Sequence, residues 1–119
     1  MSRLSTYMAL PTLRGSNANG EWIKFSDGTQ ICTQVRTQTA INIAAHSYIV
    51  ITSWTYPASF ISNPSLSLSV QGSYSTQLIC SGDTVSTSSI SQLYIRNVES
   101  TAAPLTGQIS LMAIGRWYS

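Results

Sequence analysis

Few side chains in this sequence could perform acid–base or nucleophilic chemistry. The chain has one histidine, His46, and 4 acidic residues. A Ser-His-Asp arrangement would have to combine His46 with Asp27 or Asp83 and one of many serines. No GxSxG motif surrounds any of those serines. The sequence therefore predicts that the protein is not an enzyme and has no catalytic residue.

Carboxylates offer a second possible chemistry, since glycoside cleavage needs two acids that face each other across a cleft. Asp27 precedes a glycine and Asp83 follows one, so we expect both to be turn residues whose side chains bind nearby backbone N–H groups. The acids available for such a pair are Glu21, Asp27, Asp83 and Glu99.

The single histidine, His46, precedes a strand-like run and is expected at the surface. An alternative is that symmetry-related copies of His46 share a metal ion.

Metal and cofactor signals are also missing. Cys32 and Cys80 are the 2 cysteines, and they have no CxxC spacing, so no zinc site of the usual ligand number is expected. We interpret them as small buried residues on strands, with a disulfide as the alternative. Neither GxGxxG nor GK[ST] occurs, so the sequence predicts no nucleotide, no metal and no other cofactor.

Aromatic residues are the remaining candidates for binding. Sugar-binding proteins place aromatic faces against the apolar face of a pyranose, with amides and hydroxyls around it. Trp22, Trp54 and Trp117 lie in strand-like runs and are expected in the core or at a subunit interface. The candidate ligand-binding residues are Tyr74, which lies in a loop-like stretch, and the pair Gln92 and Tyr94.

The overall composition limits the class of protein. The chain has 119 residues, enough for one domain with its own core. Only 8% are charged, against about 25% in ordinary soluble domains, while 21 Ser and 13 Thr supply most of the polar groups. A hydrophobic fraction of 43% is too high for a disordered chain.

The distribution of charge and apolar residues excludes further classes. The 6 cations are dispersed, so no phosphate-binding patch forms and nucleic-acid binding is not expected. No apolar run approaches the roughly 18 residues of a spanning helix, so no membrane insertion is expected. The N-terminus lacks a continuous apolar region, so secretion by a signal peptide is not expected either.

These candidates need strands to hold them in place. Trp22–Phe25 and Thr29–Arg36 flank Ser26-Asp27-Gly28 and predict a β-hairpin with a glycine turn. The run Tyr48–Trp54 is nearly all β-branched or aromatic, which predicts a strand covered on both faces. Further strands are predicted at 66–70, 77–80, 93–98 and 108–117. Residues 37–45 come closest to a helical pattern without reaching one.

About seven strands of this kind predict an all-β fold, an antiparallel β-sandwich. The turn-rich run Arg14–Gly20 marks a boundary. We therefore divide the chain into a short N-terminal arm, residues 1–13, and a β-sandwich domain, residues 14–119.

Three ordered segments resemble one known family. The run Arg14–Cys32, the run Trp54–Phe60 followed by Pro64, and the terminus Met112–Tyr118 carry NGE-W-I-K-F-S-DG-T-Q-I-C, YPASF and AIGRW. These pieces resemble the C-terminal, receptor-binding head domains of bacteriophage and prophage tail fibres.

The resemblance implies a β-sandwich similar to the H-type lectin fold, assembled as a homotrimer at a fibre tip and meeting the host surface. We therefore expect a virion protein on the phage tail or another external surface, made in the host cytoplasm and recognising a host surface glycan. Residues 1–13 would contact other phage structural proteins. The alternative is a structural or decoration protein of the phage head or tail without receptor binding.

Overall fold

The computed structural model describes residues 12–118 and shows two antiparallel sheets. The alternating apolar and polar residues that predicted strands do form them. The strands are β1 (Leu13–Asn17), β2 (Gly20–Lys24), β3 (Thr29–Ile43), β4 (Tyr48–Ile51), β5 (Trp54–Thr55), β6 (Ser65–Gly72), β7 (Leu78–Val85), β8 (Ser89–Asn97) and β9 (Ala103–Arg116), and a 3-10 turn (Ser75–Gln77) precedes β7.

The first sheet has five strands in the order β1-β2-β3-β9-β6. Its centre is the long antiparallel pair of β3 and β9, whose register runs from Thr29 opposite Arg116 to Ile43 opposite Ala103. The register shifts once, between Gln38 and Ile41. A bulge at such a point bends the strand and increases its twist.

The second sheet is built around β8. β7 pairs along one edge of β8, while β4 and β5 pair in succession along the other. Thr52 and Ser53 lie between β4 and β5, and their carbonyl oxygens accept hydrogen bonds from the Arg36 side chain, at 2.5 and 2.8 Å.

The core lies between the two sheets. The first sheet contributes the side of β9 that carries Ile109, Leu111 and Ala113, and the second contributes Leu93 and Ile95 of β8, all buried. Met112 and Ile114, which alternate with these residues on β9, are exposed on its other side. Trp54 is fully buried, and its indole N–H donates to the Asn19 carbonyl at 2.8 Å. Both cysteines are free and buried, as expected.

Asn97 is a buried polar residue that connects three segments at the end of β8. Its amide donates to the carbonyl oxygens of Ile43, Ala44 and Thr101, at 3.1, 3.3 and 2.7 Å. Its side-chain oxygen accepts from the Glu99 N–H at 3.0 Å. This network satisfies the amide, which would otherwise be costly to bury.

The predicted hairpin around Gly28 is present. Gly28 has a φ of 98°, a left-handed conformation that favours glycine. The Asp27 carboxylate accepts from the Thr29 N–H at 2.9 Å, which is the expected turn contact.

Residues 37–43 continue β3, and β1 (Leu13–Asn17) overlaps the turn-rich run Arg14–Gly20. The predicted burial of residues 48–54 needs correction. The strand at 48–54 is not covered on both faces, because Tyr48 and Val50 are 50% and 54% exposed. Residues 1–11 of the expected arm lie outside the described residues. Within residues 12–118, no helix has the length and apolar character needed to cross a membrane.

Candidate functional site

The outer surface of the second sheet brings together aromatic, amide, hydroxyl and charged side chains. In the register, Tyr48 and Ile79 flank Arg96, and Val50 and Ser81 flank Tyr94. The next row pairs Gln92 with Asp83. Because alternate residues of a strand share a face, these rows form one surface. We call it the tyrosine face: Tyr48, Val50, Ile79, Ser81, Asp83, Gln92, Tyr94 and Arg96.

Direct contacts organise the centre of the tyrosine face. The Tyr94 hydroxyl donates a hydrogen bond to the Gln92 side-chain oxygen. The Tyr48 and Tyr94 rings meet edge to face, with centroids 5.5 Å apart and planes at 71°. The Arg96 guanidinium carbon lies 5.2 Å from the Tyr48 ring centroid. Each ring is therefore held by a neighbour, which reduces the rotamer entropy that ligand binding would cost.

These groups suit a polar ligand with an apolar face. Tyr48 is half exposed and Tyr94 is partly exposed, so part of each ring remains accessible to a ligand beside Arg96. The Gln92 amide nitrogen keeps two N–H donors, and the Ser81 hydroxyl donates and accepts. Aromatic rings next to hydrogen-bonding groups are the combination that recognises sugars.

The structure separates the three candidates that the sequence suggested. Gln92 and Tyr94 are joined on the tyrosine face, but Tyr74 lies in the loop between β6 and the 3-10 turn. It has a φ of 63° and is 46% exposed. Within residues 12–118, no hydrogen bond or ring contact joins Tyr74 to the tyrosine face.

Sequence reasoning missed Tyr48 and Arg96 as members of this surface. They are 48 positions apart in sequence, counting from residue 48 to residue 96, and face each other only through the β4–β8 register. The alternation of Tyr48 and Val50 was the available signal that one side of β4 points outward.

The other polar candidates do not converge. His46 is exposed in the turn before β4, with a φ of 51°. Asp83 lies within β7, not in a turn, and its carboxylate accepts from the Thr84 N–H at 2.8 Å. Among residues 12–118, no three His, Cys, Asp or Glu side chains gather closely enough to hold a metal ion.

The buried thiols and one phenol have raised pKa values. Burial raises the pKa of Cys80 to about 11, and it also raises the pKa of Cys32. Burial, with a smaller effect from Cys32, raises the pKa of Tyr56 to about 12. These groups are protonated at neutral pH and are poor nucleophiles there.

The three segments that resemble tail-fibre head domains pack together in a second cluster. Trp117 donates from its indole to the Phe25 carbonyl at 2.7 Å and from its backbone to the Gly28 carbonyl at 2.9 Å. Lys24 lies over Trp22 and Trp117, at 5.1 and 5.4 Å from the ring centroids. These contacts join the hairpin motif to the AIGRW motif.

The YPASF motif completes that cluster. The buried Gln30 amide donates to the carbonyl oxygens of Ala58 and Ser59, at 3.0 and 3.1 Å. A Cβ atom on Gly115 would lie 2.8 Å from the Phe60 ring, so glycine is needed there for close packing. The three recognised motifs thus have a structural explanation and are separate from the tyrosine face.

The sequence matches no protein-family model and no curated protein. Two solved structures share its architecture: an R1 pyocin fibre fragment of P. aeruginosa comprising C-terminal residues 323–701 (TM-score 0.62, 18% identity) and an N-truncated R1-type pyocin tail fibre (TM-score 0.61, 17% identity). The chain has a tail-fibre fold. A P. aeruginosa R2 pyocin fibre fragment is also similar, with a TM-score of 0.53 and 17% identity.

The extent of the match to the tail-fibre fold differs between these structures. The alignment covers 97% of this chain and 97% of the N-truncated fibre. It covers 89% of this chain but only 28% of the longer R1 fragment, and 90% against 26% for the R2 fragment. The predicted all-β antiparallel fold is confirmed.

Proposed function

We propose that this protein is the receptor-binding module of a phage or phage-like tail fibre, and that its tyrosine face binds a glycan on the bacterial host surface. The contact that carries the proposal is the Tyr94–Gln92 hydrogen bond beside the Tyr48 ring. It places a stacking surface next to an exposed amide on a rigid strand. The tail-fibre fold supports the same role.

We further propose that the outer side of the first sheet joins copies of the chain into a homotrimer. Ile23, Ile31 and Ile114 are cross-strand neighbours there, and Met112 and Val35 continue the patch. The last three are 41%, 36% and 58% exposed. We call this patch the isoleucine face: Ile23, Ile31, Val35, Met112 and Ile114.

The polarity of β3 supports this arrangement. Between residues 30 and 38, the inner side carries Gln30, Cys32, Gln34, Arg36 and Gln38, whereas Ile31 and Val35 face outward among threonines. Exposed apolar residues on the outer side of this part of the strand are expected to be covered by another surface. A closed symmetric oligomer is a common way to cover such a patch.

The remaining assignments follow from the same role. Residues 1–13 would connect the domain to other phage structural proteins, and the assembly would lie on an outer surface of the virion. With the isoleucine face between copies, the tyrosine face on the opposite sheet stays open to the host.

Binding to host cells tests the receptor role. Fluorescent protein should bind cells of the bacterium whose phage or prophage carries this sequence, and Tyr94→Ala should reduce binding about tenfold because it removes the ring and its hydrogen bond to Gln92. Tyr74→Ala is the matched control, since it removes an exposed tyrosine elsewhere, and should leave binding unchanged.

Absence of binding by the correctly assembled wild-type protein would contradict the receptor role. The structural or decoration role would then be favoured. A cryo-EM map of the virion would identify it by showing the tyrosine face buried against neighbouring proteins.

A further inference from the structure

We infer that the ligand of the tyrosine face is an acidic saccharide, whose carboxylate or phosphate group binds Arg96. This inference rests on the proposed function and adds the chemical class of the glycan. Its basis is the position and exposure of the Arg96 guanidinium. The guanidinium lies over the Tyr48 ring, at 5.2 Å, and Arg96 is exposed.

Arg96 has no protein acceptor among residues 12–118. Three of the other cations in that range are engaged. Arg36 donates to two backbone carbonyls, Arg116 donates to the Asp27 carbonyl at 2.8 Å, and Lys24 lies over the Trp22 and Trp117 rings. A guanidinium presents five donors in a fork that matches the geometry of carboxylate and phosphate.

The Tyr48 ring gives this unpaired cation a fixed position. Stacking on the ring restrains the guanidinium but does not use its N–H donors. An acidic group could therefore bind at this point with little loss of side-chain entropy. Arg14 is also exposed and has no protein acceptor within the described range, but it lies on β1 in the other sheet, away from the paired tyrosines.

The charged residues of the tyrosine face determine the orientation in which an acidic saccharide would bind. Arg96 and Gln92 are four residues apart on β8, which is roughly 13 Å at the rise of an extended strand. Asp83 faces Gln92 across the β7–β8 ladder. The acidic substituent would lie at the Arg96 end, where Asp83 cannot repel it strongly, and neutral hydroxyls would lie over Tyr94 and Gln92.

A saccharide-binding assay with the full chain tests this inference. The probes are the purified surface polysaccharide of the host, the same material after carboxyl reduction, and the same material after dephosphorylation. The variants are Arg96→Gln, Arg96→Lys and, as the matched control, Arg14→Gln. Circular dichroism and thermal melting confirm that each variant is folded.

We expect Arg96→Gln to lose about tenfold or more in affinity, as removal of a charge-assisted hydrogen bond would predict. Arg96→Lys should retain part of the affinity, and Arg14→Gln all of it. One chemical treatment should weaken wild-type binding to the level of Arg96→Gln. Carboxyl reduction identifies a uronic or similar acid, and dephosphorylation identifies a sugar phosphate.

Two outcomes would overturn the inference while the receptor role stands: Arg96→Gln binds the untreated polysaccharide as tightly as wild type, or neither chemical treatment weakens wild-type binding. Binding that is sensitive to Tyr94→Ala but not to either acid-removing treatment would indicate a neutral glycan. Failure of the wild-type protein to bind the polysaccharide or the host cells would contradict the proposed function itself.

Discussion

At the scale of single residues, part of the candidate site could be predicted from the sequence. Gln92 and Tyr94 are two positions apart on one strand, so their joint placement follows from the period of a strand. Tyr48 and Arg96 join them through the β4–β8 register, a long-range property that no local pattern encodes. Tyr74 was predicted from its loop-like neighbours, and the structure places it apart.

The buried ionisable residues give a prediction about pH. The pKa values of Cys80 and Tyr56 are raised from 9.0 and 10.0 to about 11 and about 12. Above about pH 9 the unfolded chain loses these protons before the folded protein does, so the folded state is progressively destabilised. The stability that these groups contribute is complete below pH 9 and is lost as pH rises through 11 and 12.

Thermal melting between pH 7 and 11 checks this prediction. We expect the melting temperature of the wild type to fall above pH 9. The melting temperature of Cys80→Ala should fall less steeply over the same range. Parallel curves for the two proteins would contradict the assignment to Cys80. The control is Ser81→Ala, which changes an exposed residue next to Cys80. Its melting temperature should fall with pH as steeply as that of the wild type.

At the scale of elements, turn residues and the alternation of apolar and polar residues were sufficient to predict most strands. The Gly28 hairpin and the two sides of β9 were predictable because each depends on neighbouring residues. The division of residues 48–55 into β4 and β5 was not predictable. The segment between the two strands is bound by Arg36, which is 16 positions before Thr52 in sequence, and no local pattern encodes that contact.

The Trp117 contacts give a prediction for the cluster that joins the three motifs. Trp117→Ala should lower the free energy of unfolding by about 3 kcal/mol, because it removes a half-buried ring and a hydrogen bond. Trp117→Phe keeps a ring but removes the indole donor to Phe25, and should cost about 1 kcal/mol. Urea unfolding at fixed protein concentration measures both. Equal effects of the two substitutions would show that the hydrogen bond, not the ring, is the main contribution.

At the scale of the whole molecule, low charge favours self-association. With only 8% of the residues charged, electrostatic repulsion between copies is small. The structure adds that exposed apolar residues lie on both outer surfaces: Val35, Met112 and Ile114 on the isoleucine face, and Tyr48, Val50 and Ile79 on the tyrosine face. Composition could not predict this division, because it depends on which side of each strand faces the core.

Self-association through the isoleucine face is tested by one pair of variants. Met112→Glu places a charge at its centre and should convert a trimer to monomers in multi-angle light scattering at micromolar concentration. Ile79→Glu places the same charge on the tyrosine face and should leave the trimer intact. A stable wild-type monomer would contradict the homotrimer, and dissociation by Ile79→Glu alone would place the interface on the second sheet.

The most direct test of the central claim is a nuclear magnetic resonance titration of the tyrosine rings with the surface polysaccharide of the host. The chain has 6 tyrosines, which can be labelled together and assigned by single substitutions. We predict that the ring signals of Tyr48 and Tyr94 shift on binding while those of Tyr74 and Tyr118 do not. Shifts confined to Tyr74 or Tyr118, or no shifts at saturating polysaccharide, would contradict glycan binding on the tyrosine face.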